Sequence, residues 1–230
     1  MSALPYRIER TTNRTSRAHL ENDTVVIRLA GRMPRHEEER HIATLLRRMA
    51  RAYAKRAAGC KIDPFRDLLN GASESSVTLA DGTLRNFIIQ TGKRTRARFV
   101  QDTWHIECPP ATDKRSLHRF LWKLLSESER ERIQRTVERI NRLTLNVSLQ
   151  GVSLGVARVR WGSCSRRGTM RLNTALLFVP EDLLHYVIVH ELAHIPHPNH
   201  SPSFWQTVER FVPDCKMKVK QLKTYHLFHF

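Results

Sequence analysis

His190-Glu191-Leu192-Ala193-His194 sets two imidazoles four residues apart, with a carboxylate between them. On a helix, positions i and i+4 share a face, so both rings can reach one metal ion. Glu191 falls about 100° round the same helix, near enough to polarise a water on that metal without binding the metal itself. This pattern arises by chance in about 3 of 100 chains so rich in histidine, so its neighbours decide its meaning. Pro196 and Pro198 stop the helix and turn the chain back, and His200 follows six residues after His194. A returning chain can offer a third imidazole on the open side of the metal. His197 competes for that place, but it lies inside the sharp turn, where its ring points back poorly. His200 is the expected ligand. Three neutral nitrogen donors and one open position describe a catalytic zinc site, and nitrogen-only ligation suits Zn2+ better than magnesium or calcium.

The chemistry this predicts is hydrolysis. Zn2+ on His190, His194 and His200 lowers the pKa of bound water from about 15.7 towards 7 and polarises a scissile carbonyl. Glu191 is the catalytic general base: it activates the metal-bound water and hands the proton to the leaving amine. The oxyanion donor stays open among Tyr186, Tyr225 and His226. As ligands, His185, His226 and His229 have weaker claims; each reads as a surface or hydrogen-bonded histidine.

These side chains need elements to hold them. Pro180 suits the first turn of a helix running to about Ile195, with Leu183, Leu184, Val187, Ile188 and Leu192 as its buried face. Ser201, as N-cap, and Pro202 restart a helix through Phe211, and a short basic helix with Met217, Val219 and Leu222 follows Pro213. Upstream, Gly155–Trp161 reads as a strand, Gly162–Ser165 and Arg166–Gly168 as turns, and Thr169–Asn173 as a second strand. Asp113 is a fair N-cap for helical periodicity that continues to about residue 145 along a basic face. Val77–Ala80 and Thr83–Ile89 flank Asp81-Gly82 as a tight β-hairpin, and Arg96–Val100 and Trp104–Cys108 read as strands. Thr24–Leu29 reads as a strand, and a helix follows from about Glu37 to Ala58, with Ile42, Leu45, Leu46, Met49 and Tyr53 as its stripe, Arg47, Arg48, Arg51 and Lys55 opposite, and Gly59 as its cap. The predicted layout is an N-terminal β/helix segment over 1–60, a β-rich sub-domain over 61–112, and a helical, metal-binding catalytic region over 113–230.

A chain of 230 residues, 40% of them hydrophobic, can form a sizeable core. The formal net charge is +17, with 13 Lys/Arg against 6 Asp/Glu in residues 1–60 and 11 against 4 in residues 114–160. Such a field attracts polyanions, so nucleic acid or an acidic substrate is a candidate partner, beside the simpler reading of a solubilising surface. No apolar run approaches the ~20 residues of a membrane span, and the N-terminus lacks a signal core, so a cytoplasmic protein is expected. Cys60, Cys108, Cys164 and Cys215 form no C-x-x-C pair and are expected as free thiols. The sequence leaves the oligomeric state open.

Arg160-Trp-Gly-Ser-Cys-Ser165, Met170-Arg-Leu-Asn173, Pro180, Tyr186 through His194, Asn199-His200-Ser201, Phe204-Trp205 and Pro213 together resemble the YgjP-like zinc metallopeptidases, relatives of the SprT-like and WLM-type zincins. The resemblance implies an α+β fold with a zincin-like metallopeptidase domain at the C-terminal end. It also implies zinc on His190, His194 and His200, a catalytic Glu191, and protein or peptide substrates. The Trp161–Ser165 turn and Asn173 are read either as cleft lining or as structural. Two rivals stand beside the peptidase: a metal-dependent hydrolase of a nucleotide phosphoanhydride, and a basic nucleic-acid-binding module with a structural metal.

Overall fold

The computed structural model describes residues 5–21, 24–31, 34–57 and 59–226, and gives the backbone alone at residues 20, 21, 35 and 51–57. Tyr53, Arg51 and Lys55 of the first helix therefore fall outside the described side chains, and Ala58 and His229 outside the described residues. The chain is mixed α+β and divides into two compact units, Met1–Gly59 and Cys60–Phe230. No described helix is long and apolar enough to cross a membrane.

In the first unit, β1 (Tyr6–Thr11), β2 (Arg17–Glu21) and β3 (Thr24–Ala30) form a sheet of order β1-β3-β2. β1 runs parallel to β3, and β2 antiparallel to it. Helix α1 (Arg35–Ala57) follows. Alternate residues Val25, Ile27 and Leu29 point to one face and pack with Ile42, Leu45, Leu46 and Met49 of α1.

The second unit opens with β4 (Cys60–Lys61), which pairs in parallel with the closing strand of the chain, and with the short helix α2 (Arg66–Leu69). Strands β5 (Glu74–Thr78), β6 (Leu84–Thr91), β7 (Arg96–Val100) and β8 (Thr103–Cys108) make a sheet of order β5-β6-β8-β7. The β5–β6 hairpin is wider than the tight Asp81-Gly82 turn expected. Leu79 N–H bonds Thr83 O at 2.8 Å and Gly82 takes φ +82°, which gives a three-residue loop closed by a left-handed glycine. The two-residue turn lies instead at Gln101-Asp102, both at positive φ, between β7 and β8.

The single helix expected from Asp113 to about residue 145 is two. Asp113 caps α3 (Lys114–Ser128) by accepting from Ser116 N–H at 3.0 Å, and α4 spans Arg130–Leu143. The break sits at Glu129, whose fully buried carboxylate accepts from Arg85 Nε of β6 and Arg132 Nε of α4, each at 2.6 Å. A further sheet has order β10-β11-β9: β9 (Gly151–Gly155), β10 (Gly162–Cys164) and β11 (Thr169–Asn173). Residues 156–161, expected as strand, are a connector, the strand lies before them, and residues expected as turn supply β10. After a 3-10 turn at Thr174–Phe178 come α5 (Glu181–Ala193), α6 (Pro202–Phe211), α7 (Cys215–Leu222) and β12 (Tyr225–His226).

One core runs through this unit from Ile62 to Leu222. Phe65 meets Phe87 at 5.1 Å and Trp122 at 5.5 Å edge-on, and Trp122 meets Phe178 at 5.7 Å. Each such pair adds about 0.5–1.5 kcal/mol to the area it buries, and together they join α2, β6, α3 and the 3-10 turn. Helix α5 is buried nearly all round, not on the one face expected: Tyr186, Val189, Glu191 and Ala193 are buried along with Leu183, Val187, Ile188 and Leu192. A helix apolar on every side belongs at the centre of a core.

Candidate metal centre

Helix α5 carries His190 in its last turn, and His194 is its C-cap residue. The chain then turns through Pro196 and Pro198, and Ser201 starts α6 by accepting from Phe204 N–H at 3.3 Å. This return brings His200 back over α5. The ligand nitrogens of His190, His194 and His200 all lie within 4.8 Å of one another, and the Nε2 atoms of His190 and His200 are 3.1 Å apart. Two nitrogens on one tetrahedral zinc stand roughly 3.3 Å apart, so the His190–His200 spacing fits such an ion. Burial and the neighbouring histidines push His190 down to about 3, and burial lowers His194 too. Both rings are therefore neutral at physiological pH, the form that ligates a metal.

The supporting contacts are specific. Tyr186, one turn before His190, sets its hydroxyl 3.3 Å from His190 Nδ1 and so leaves Nε2 to face His200. Burial raises that phenol to about 12. Tyr186 thus stands behind the His190 ring. Phe204 forms a floor, with its ring centroid 4.9, 4.7 and 4.7 Å from the rings of His190, His194 and His200. Trp205 stacks on His200 at 5.7 Å. His197 turns away: Thr207 Oγ1 donates to Ser203 O at 2.9 Å and accepts from His197 Nε2–H at 3.1 Å. His185 lines a separate cavity with Arg139 and Asp182. Tyr225 and His226 lie in β12 and do not line the cleft beside His190 and Glu191.

Glu191 is only 6% exposed, and burial raises its carboxyl to about 7, with Arg160 opposing. The backbone of β10 lies against it at Gly162. A Cβ on Gly162 would stand 2.7 Å from Glu191 Oε1 and 2.8 Å from Cγ, so only glycine lets the carboxylate lie there. A cleft of about 280 Å³ opens beside the pair His190 and Glu191, walled by Trp161, Gly162, Tyr186, Val187, Val219 and Leu222. Cys164, half-buried on β10, is raised to about 11 by burial and by Glu191. Lys218 fixes the α7 wall: its buried ammonium bonds Asp182 of α5 and lies 3.2 Å from Asp214. That contact holds the Asp182 carboxyl below its usual range.

Asn173 is buried and braces the connector. Its Nδ2 donates to Ala157 O at 2.8 Å and Arg160 O at 2.9 Å, and its Oδ1 accepts from Ala175 N–H at 3.1 Å. Of the two readings offered for this region, Trp161 and Gly162 line the cleft, whereas Asn173 shapes it from behind.

A model of the YgjP-like, metallopeptidase domain matches residues 14–225. The chain belongs to the YgjP-like metallopeptidase family. It is therefore an enzyme, a metal-dependent hydrolase acting on peptide or protein substrates. Two solved structures are similar to part of this YgjP-like chain. The metallopeptidase zymogen abylysin of Pyrococcus abyssi is 28% identical, over 38% of this chain and 89% of its own, with a TM-score of 0.35. The metallopeptidase zymogen jannalysin of Methanocaldococcus jannaschii is 27% identical, over 37% and 91%, with a TM-score of 0.32. Comparison with curated proteins gives no match.

Proposed function

We propose that this metallopeptidase is a cytoplasmic zinc enzyme whose metal is held by His190, His194 and His200, with Glu191 as general base. The convergence of three imidazoles beside a buried carboxylate carries the reading. Nitrogen donors alone suit zinc, and an open fourth position suits catalysis over a structural role, which cysteine usually closes. Zinc bound there supplies Lewis acidity to the attacking water and to the scissile carbonyl.

The remaining work falls to the chain. Glu191 takes the proton of the attacking water and passes it to the leaving nitrogen, and burial, which raises its carboxyl to about 7, makes it a stronger base. A nearby divalent cation draws the value down and favours the ionised base. Strand β10 is the outer strand of its sheet and borders Glu191 through Gly162. An extended substrate can pair with its free edge and pass its carbonyls by the carboxylate. Val187, Val219, Leu222 and Trp161 offer an apolar berth for one substrate side chain. We assign the zincin-like catalytic region to 113–230, with 61–112 as a β-rich sub-domain against it. The family favours a peptide bond over the phosphoanhydride alternative.

The test is casein hydrolysis. Activity should vanish on chelation and return with zinc. Glu191→Gln should lower it by about 10²–10⁴-fold while the bound metal stays. Full activity in Glu191→Gln would remove the general-base role.

A further inference from the structure

A second cleft, of about 670 Å³, opens between α3, the start of α4 and the β9–β11 edge of the sheet. Five cations line it, Arg119, Lys123, Arg130, Arg158 and Arg171, against one acid, Glu127. That acid is already engaged by Lys123 at 3.8 Å along α3. Arg130, Arg158 and Arg171 are exposed and make no ion pair among the described residues. The Arg171 guanidinium lies down over Gly155, where a Cβ would stand 2.5 Å from its Nη2. The glycine thus lets the charge rest on the cleft floor. Cations gathered this way repel one another, and an anion between them relieves that cost.

The identity of the anion follows from what surrounds the charges. Among the described residues no aromatic side chain lines the cleft, and single-stranded nucleic acid is held by base stacking as well as by phosphate contacts. β9 is an outer strand of its sheet, and an outer strand offers backbone groups to an extended polypeptide. The two clefts lie at either end of one short stretch of chain. Gly155 and Val156 line the first, Arg160 and Trp161 the second. The stretch of backbone from Gly155 to Arg160 reaches no further than about 18 Å. An extended substrate covers that span in about five or six residues.

We propose that this basic cleft is a substrate exosite, which binds an acidic segment of a polypeptide whose neighbouring residues lie in the catalytic cleft. The proposal rests on the peptidase reading for its purpose, and the cleft can be tested without turnover.

The experiment uses the zinc-loaded full chain and a neutral cleavable peptide. The peptide carries a run of Asp and Glu about six residues to the N-terminal or the C-terminal side of the cut bond, or a Ser/Asn run of equal length. One acidic peptide should show a KM lower by roughly tenfold at low salt, with kcat little changed. The gain should disappear in about 0.5 M NaCl. It should also disappear in the triple variant Arg130→Gln, Arg158→Gln, Arg171→Gln, which should cleave the neutral peptide as the parent does. Equal KM values for acidic and neutral runs on both sides would overturn the exosite, as would a gain that survives the triple variant. Fluorescence anisotropy of a labelled acidic peptide reads the cleft directly. Binding that depends on the three arginines supports the cleft even where no peptide is cut, a result that would count against the peptidase reading alone. Absence of binding overturns the cleft whatever the cleavage assay gives. Displacement of the peptide by a lower concentration of single-stranded DNA would assign the cleft to nucleic acid and end the proposal.

Discussion

Glu191 lies against Gly162, where the carboxylate occupies the space a side chain on β10 would fill. Gly162→Ala should therefore displace Glu191, the proposed general base, while leaving the core intact. We expect kcat/KM to fall by roughly 10–100-fold, in line with the cost of a misplacement near 1 Å, with little change in thermal midpoint. Parent-like kinetics would show that the carboxylate has room to move. The approach of His190 and His194 was readable from spacing, since i and i+4 on a helix share a face; that of His200 rested on the prolines that turn the chain back. The supporting residues were not readable in this way. Tyr186 touches His190 one turn along the same helix, yet nothing in a lone tyrosine separates a ring-orienting hydroxyl from an oxyanion donor. Phe204 could be found only once Ser201 and Pro202 fixed the start of α6 and so set its first turn beneath the three rings.

The break between α3 and α4 shows how an element can depend on a distant partner. Helical periodicity runs through the segment without glycine or proline, so the sequence reads as continuous. The interruption instead centres on Glu129, which is drawn into the interior by Arg85 of β6 and Arg132 of α4. Removing a buried carboxylate strands its partners. Glu129→Ala should cost about 3 kcal/mol, the low end for a buried pair, because Arg132 is part-exposed and Arg85 keeps Asp102 at 2.9 Å. Urea denaturation measures this, and a loss of less than about 1 kcal/mol would mean the pair is only incidental to the fold. The misplaced strand has a similar cause. Val156 to Arg160 is rich enough in β-branched and long side chains to look extended, but the Asn173 amide holds Ala157 and Arg160 as a connector. Gly151–Gly155 pairs with β11 despite glycine at both ends.

At the scale of the molecule, the α+β character was legible from strand and helix periods, and most elements fell close to their expected bounds. How the chain divides into units depends on long-range contacts that no local pattern carries. The core from Ile62 to Leu222 is continuous and lies wholly within the second unit, as do the three histidines and both clefts. A fragment of residues 60–230 should therefore unfold cooperatively and bind close to one equivalent of zinc. Circular dichroism melting with metal analysis would check this, and a fragment that is molten or metal-free would show that residues before Cys60 are needed to complete the centre.

Metal analysis of the purified 230-residue chain reads directly which imidazoles share the metal. Close to one zinc per chain is expected for the parent and for His197→Ala, whose ring is held by Thr207. The zinc should be lost in His190→Ala, His194→Ala and His200→Ala. Full zinc in His200→Ala, or loss of zinc in His197→Ala with the fold intact, would contradict the three-histidine centre.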